Sequence, residues 1–217
     1  MLQKETLLFF EDLKQNNKRI WFEENKPRYL SAQEDYLTFI EKLLVEVRKI
    51  EPINEKELKK YINRIYRDNR FSKEKIPYNT HIVTTIERAP EYKKSPVYLF
   101  FEPGNTFIAG GIRLATPELL KKIRQEIDFN GAELEKILSK KAFSEMFGEI
   151  YGDALVKAPN GYSPDHPQIE LIKKKEFIAK RDFDDDMVCS KHFIKELTAS
   201  YKAMLPFLNF LDVIIAD

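Results

Sequence analysis

Arginine, lysine and tyrosine crowd one short stretch of this sequence. From Lys59 to Lys75 there are seven Lys or Arg residues and only two acids, Asp68 and Glu74. Arg64, Arg67 and Arg70 recur every three residues, interleaved with Tyr66 and Phe71, and Lys73, Lys75 and Tyr78 follow. Guanidinium forks grip phosphate or carboxylate oxygens in pairs, and aromatic faces beside them accept a planar group. The predicted chemistry is capture of an anionic, phosphate- or carboxylate-bearing small molecule by Arg64, Arg67, Arg70, Lys73 and Lys75, with Tyr66 and Tyr78 alongside. Lys26 joins this set if its own basic, aromatic stretch folds against Arg67. A second reading makes the arginines an ion-pair network around Asp68, in a structural or protein-interaction domain. A third lays the same stripe along a nucleic acid, and the balanced overall charge counts against it.

Proton transfer needs a group that titrates near neutrality, and the chain has three histidines. His81 ends the basic stretch. His166 lies in Asp165-His166-Pro167 at an expected helix start, where backbone N–H groups favour a neutral imidazole. His81 and His166 are the candidate general acids or bases, and for His166 a helix cap is the competing reading. The sequence does not decide between binding and turnover. No metal or cofactor is predicted. The histidines share no H-x-H or H-x-x-x-H spacing, and Cys189 is the lone cysteine. The acids Asp182, Asp184, Asp185 and Asp186 lack a calcium-loop pattern and read as a solvated helix start. There is no G-x-x-x-x-G-K, G-x-G-x-x-G or G-x-S-x-G motif.

The stretch Arg64-Ile65-Tyr66-Arg67-Asp68-x-Arg70-Phe71-Ser72-Lys73-x-Lys75-x-Pro77-Tyr78 resembles the hallmark of a widespread bacterial family catalogued only as a domain of unknown function. Two further blocks resemble it in the same order. They are Asn16-Asn17-x-Arg19-x-Trp21-Phe22-x-x-Asn25-Lys26 and Pro159-x-Gly161-Tyr162-x-x-Asp165-His166-Pro167. The resemblance spans nearly the whole chain and implies one α+β domain, with no activity, cofactor or catalytic residue to carry over. Asn79 stands where the family pattern has a basic residue, and Arg113 where it has an aromatic.

These residues need a scaffold, and composition permits one. The chain has 217 residues, 36 basic against 35 acidic side chains, 43% apolar and 33% charged residues. Such a chain is neither disordered nor a basic glove for nucleic acid. The apolar runs Leu7–Phe10 and Met204–Ala216 are too short or too interrupted for a leader core or a bilayer span. The expectation is a cytoplasmic protein without a membrane partner, its oligomeric state open.

Apolar spacing predicts a helix ending at Asn16-Asn17, and a long helix from Pro27 carrying Leu30, Leu37, Ile40, Leu44 and Val47. Asn54 and Glu57 suggest a short helix start, and Ile62–Tyr66 a further strand. Three strands, 80–87, 96–102 and 105–112, read as an antiparallel meander. Helices follow at Thr116–Ile127, Gly131–Leu138 and Pro167–Lys174, with strands at Ala154–Lys157 and Glu176–Lys180. The end reads as an amphipathic helix interrupted by Pro206. The whole is predicted as a single α+β domain, residues 1–217, with the meander packed against several helices.

Overall fold

The chain order of elements is α1 (Lys4–Gln15), α2 (Arg19–Glu24), α3 (Lys26–Arg48), a short 3-10 helix (Leu58–Tyr61), β1 (Ile82–Ile86), β2 (Val97–Phe101), β3 (Thr106–Ile112), α4 (Pro117–Leu138), α5 (Lys141–Phe147), α6 (Ile169–Ile172), β4 (Phe177–Phe183), α7 (Asp185–Val188) and α8 (Phe193–Ala216). The structure, a computed structural model, describes residues 1–68, 70, 75–89 and 95–216. The fold is α+β, with an antiparallel sheet in the order β1-β2-β3-β4. The expected meander is β1–β3, and β4 is the predicted 176–180 strand extended to Phe183. The chain forms two compact units, each assembled from three stretches: Met1–Ile86, Tyr98–Ile108 and Asp182–Ala199, and Glu87–Val97, Ala109–Arg181 and Ser200–Asp217.

In the first unit, α1 buries Leu7, Phe9, Phe10 and Leu13 on one face, as 3.6-residue periodicity requires. In α3 the buried stripe is Ala32, Tyr36, Phe39, Ile40, Leu43, Leu44 and Val47. Leu30, expected inside, is exposed, and Tyr36 takes up core space instead. Aromatic edges fasten these helices to β2. Phe10 and Tyr36 lie 5.6 and 5.3 Å from Phe101, ring centre to ring centre. The Tyr36 hydroxyl, fully buried, is satisfied by Thr84 Oγ1 on β1 at 3.0 Å. Burial pushes the pKa of that hydroxyl well above the ordinary tyrosine value.

Residues 62–67 are not a strand. They run beside 77–84 through two isolated antiparallel bridges, Ile62 with Thr84 and Tyr66 with Tyr78. Between the bridges, the side chain of Asn63 takes the place of a ladder bond by accepting from Val83 N at 2.6 Å. Asn54 and Glu57 precede a 3-10 turn rather than a capped α-helix.

In the second unit, α4 carries Ile123, Ile127, Leu134 and Ile137 inward, and Thr116 caps its start by accepting from Leu119 N. The helix expected separately at Gly131–Leu138 is the second arm of α4, set off from the first by non-helical backbone at Asn130 (φ −118°, ψ 20°). Gly131 leaves room there for Gln168, whose Cγ would lie 2.3 Å from an added Cβ and would have to shift. Gly111, at φ +126°, lets β3 approach the Phe177 carbonyl, which a Cβ would meet at 2.0 Å. The predicted strand at Ala154–Lys157 reduces to one bridge, Ala154 with Lys174, and the helix at Pro167–Lys174 to α6 alone. Pro206 does not interrupt α8. Buried neighbours Met204, Phe207, Leu208 and Leu211 hold the helix through the lost backbone bond.

Arg88 is the largest fully buried side chain of this unit, 1% exposed. Its guanidinium donates to Asp212 Oδ2 at 2.6 Å and to Asn209 Oδ1, both on α8. The other carboxylate oxygen of Asp212 accepts from Ser95 N at 2.8 Å. One carboxylate thus fixes Arg88 and Ser95 together.

Candidate functional site

The first two motif blocks meet in the first unit through one amide. Asn17 Nδ2 donates to the Tyr78 carbonyl at 2.9 Å, and Tyr78 N donates to Asn17 Oδ1 at 3.1 Å. Asn17 therefore reads the Tyr78 backbone as a neighbouring strand would. Phe22 of α2 stacks on Tyr78 with centroids 4.0 Å apart and planes 17° apart, and Tyr66 leans on Tyr78 at 5.6 Å. Tyr78 is 3% exposed. Burial raises its hydroxyl pKa, with Tyr66 and Glu23 adding and Arg19 opposing. The tyrosine is a packing residue, and Tyr66, more than half exposed, is its outer layer.

Anchoring Tyr78 also anchors its chain neighbours. Asn79, Thr80 and His81 line a cleft of about 370 Å³ together with Lys14, Asn17, Arg67 and Ile76. Lys14 comes from the last turn of α1, and Arg67 from the bridge-paired arm, whose backbone N–H donates to the Pro77 carbonyl at 3.0 Å. Glu102, at the end of β2, organises the rim. One of its oxygens accepts from Thr80 Oγ1 at 2.8 Å and lies 3.8 Å from Lys14 Nζ.

His81 is half-buried, its ring stacked on Phe100 at 4.7 Å and 26°. Burial lowers its pKa below the ordinary histidine value. Arg67 acts in the same direction and Glu102 against it. At neutral pH the imidazole is accordingly uncharged and able to give or take a proton.

The predicted basic cluster divides. Arg67 lines the cleft with His81, whereas Arg70 turns to Asp68 and makes a two-pronged contact, Nε to Oδ1 at 3.0 Å and Nη2 to Oδ2 at 2.6 Å. Arg70, with a smaller contribution from Arg64, holds the Asp68 carboxyl below its usual range. Neither Arg64 nor Arg67 forms an ion pair among the described residues. Lys26 is exposed and pairs loosely with Glu23 at 3.7 Å. Lys75 is exposed and does not line the cleft. Lys73 lies outside the described residues. The structure thus brings Arg67, Tyr78 and His81 together, and adds Lys14, Asn17, Thr80 and Glu102, which residue spacing did not single out as site residues. Asn17 carried a signal, since it stands in the first motif block; Lys14 carried none.

His166 belongs to the second unit. Its Nδ1 accepts from Gln168 N at 3.0 Å, which places the proton of the neutral ring on Nε2, facing Asp128 Oδ1 at 2.9 Å. Both ring nitrogens are engaged, and the contact ties the 163–168 turn to α4. Tyr162 approaches the ring edge-on at 6.3 Å. Burial, then Asp128, raises the Tyr162 pKa, and Arg124 opposes. A larger open hollow of about 570 Å³ lies beside this turn, lined by Lys157, Asn160, Tyr162 and Lys173 among others. Lys173 is already paired with Glu170 at 2.9 Å, so the hollow offers an anion less than the cleft does.

Among the described residues no group of three or more His, Cys, Asp or Glu could hold a metal ion, and no helix is long and apolar enough to cross a membrane. Burial, then Asp185 and Asp186, pushes the Cys189 thiol up, away from a reactive thiolate. No curated protein and no solved structure matches the chain. The model of one family, described as conserved hypothetical protein (DUF2461), matches residues 5–210, which takes in all three motif blocks, and the chain belongs to that family.

Proposed function

We propose that the chain binds a small phosphate- or carboxylate-bearing molecule in the cleft of the first unit. The observation that carries this reading is the convergence on one concavity of two cations from separate elements, Lys14 and Arg67, with a half-buried imidazole, His81. Arg67 supplies a guanidinium fork that no described carboxylate occupies, and Lys14 a second positive charge. Asn17 and Thr80 add polar groups at the wall. If the bound molecule reacts, His81 is the group in the cleft able to move a proton near neutral pH.

A structural role suits the outer part of the same segment. The Arg70–Asp68 contact and the Asn17 clasp both favour it, and it leaves Arg67 available. Thermal unfolding against inorganic phosphate, nucleotides, dicarboxylates and short oligonucleotides tests the proposal. A ligand held only by the folded state raises the midpoint by mass action, about 2.7 kcal/mol at a hundredfold excess over Kd. The expected result is a rise for one class of small anion that disappears in Arg67→Ala, with the variant otherwise as stable as the parent. A rise that persists in Arg67→Ala, or no rise for any small anion, overturns the proposal. A rise confined to oligonucleotides that collapses with added salt makes the segment a nucleic-acid stripe instead.

A further inference from the structure

We infer that the cleft is built for a dianion of the phosphate or sulfate type, and that such a ligand enters with a proton that is taken up by His81. The inference rests on the anion reading above and adds the charge state and class of the ligand. Among the described residues three charged groups accompany His81: Lys14 from α1, Arg67 from the bridge-paired arm, and Glu102 from the end of β2. Two positive charges and one negative leave a single net positive charge while the imidazole is neutral. A monocarboxylate is matched by that state. A dianion is matched only when the imidazole is charged as well.

The geometry makes the imidazole responsive. Its ring stacks on Phe100, half out of water, in the cleft that Arg67 and Lys14 also line. In the empty cleft burial disfavours the charged form and Arg67 reinforces this. An anion between Arg67 and His81 cancels the repulsion and supplies an acceptor for the ring N–H. Thr80, the residue before His81, donates to Glu102, whose same oxygen lies 3.8 Å from Lys14 Nζ.

The consequence for stability has a definite sign. In the empty protein the folded-state pKa of His81 lies below its unfolded value, so the unfolded chain binds the extra proton first. His81 therefore contributes stability above its unfolded pKa, near 6.5, that is lost as pH falls through the folded value. A bound dianion reverses the shift and removes that loss.

Sulfate is the probe, because it stays a dianion from pH 5.5 to 8 and any proton taken up must go to the protein. Calorimetric titration of the full chain with sulfate, in buffers of different ionisation enthalpy, counts protons directly. The expected result is uptake of a fraction of a proton at pH 7, and affinity falling with rising pH by at most about tenfold per unit, the limit for one linked proton. His81→Gln should bind more weakly, without proton uptake and with a flat pH profile, while acetate, with half the charge, brings less uptake to the parent and none to His81→Gln. Arg67-dependent sulfate binding whose heat is the same in every buffer overturns the inference and leaves the anion reading standing. Proton uptake that survives in His81→Gln overturns it too. Absence of Arg67-dependent binding by sulfate, phosphate and acetate alike removes both readings at once. Should His81→Gln fold poorly, the buffer series on the parent chain and its histidine NMR titration with and without sulfate decide alone: an unmoved set of histidine pKa values overturns the proposal.

Discussion

In the first unit Arg67 is exposed at the edge of a cleft and makes no ion pair with a described residue, whereas in the second unit Arg88 is fully buried, its guanidinium shared by Asp212 and Asn209. The two differ in what a missing partner would cost. Arg67 keeps water as a partner, so leaving its fork open to a ligand carries little penalty. Arg88 has no water to fall back on, and Asp212, hydrogen-bonded on both oxygens, supplies it with a buried countercharge. A buried arginine belongs to the fold; an exposed one in a concavity beside other cations is available for binding.

The largest effect is expected at the buried pair. Asp212→Asn keeps the shape, removes one carboxylate of a buried ion pair, and should cost about 3–5 kcal/mol in urea unfolding, the usual result of breaking such a pair from one side. Arg88→Met with Asp212→Leu should recover much of that loss, though not the Ser95 N–H bond to the carboxylate. If Asp212→Asn is as stable as the parent, water reaches Arg88 and the contrast with Arg67 disappears.

The sequence made the exposed region visible and hid the buried one, for a physical reason. Exposed basic residues that work together are close in sequence here, so Arg64, Arg67 and Arg70 stand out by density. Arg88 and Asp212 are 124 positions apart, and in the sequence Asp212 reads only as a break in an apolar run. The meander and the long helices were legible because strand and helix periods differ. The break before Gly131 was legible too, and stands as the kink at Asn130. Two boundaries were not. Pro206 reads as an interruption but is overridden by packing. Ile62–Tyr66 reads as a strand but pairs through Asn63 and two bridges only. Of the cleft, Arg67, Tyr78 and His81 were found by local chemistry. Lys14 and Glu102 were not, since only tertiary folding brings α1 and the end of β2 to the same place.

A middle-sized effect separates positioning from binding within the first unit. Asn17→Ala removes two hydrogen bonds to the Tyr78 backbone and should cost about 1–3 kcal/mol. It should also weaken anion binding several-fold without changing the pH profile, because His81 is displaced rather than removed. Asn17→Asp keeps the acceptor for Tyr78 N, loses the donor, and should fall between the two. Loss of stability with unchanged anion affinity would detach the clasp from the cleft.

The smallest effect is the most discriminating for the basic segment. Arg70 meets Asp68 with two-pronged geometry, the form in which such pairs are strongest, yet both side chains stand in water, 78% and 49% exposed. Solvent screens the attraction, and the two groups are near neighbours in the unfolded chain as well, so little is gained on folding. Arg70→Ala should therefore show a thermal midpoint indistinguishable from the parent at physiological salt. It should keep the full anion-dependent rise that Arg67→Ala loses. The two variants remove the same side chain three residues apart, and only position relative to the cleft distinguishes them. If Arg70→Ala instead unfolds as readily as Asp212→Asn, the segment is a structural network like the one around Arg88, and Arg67 has no separate claim to a ligand.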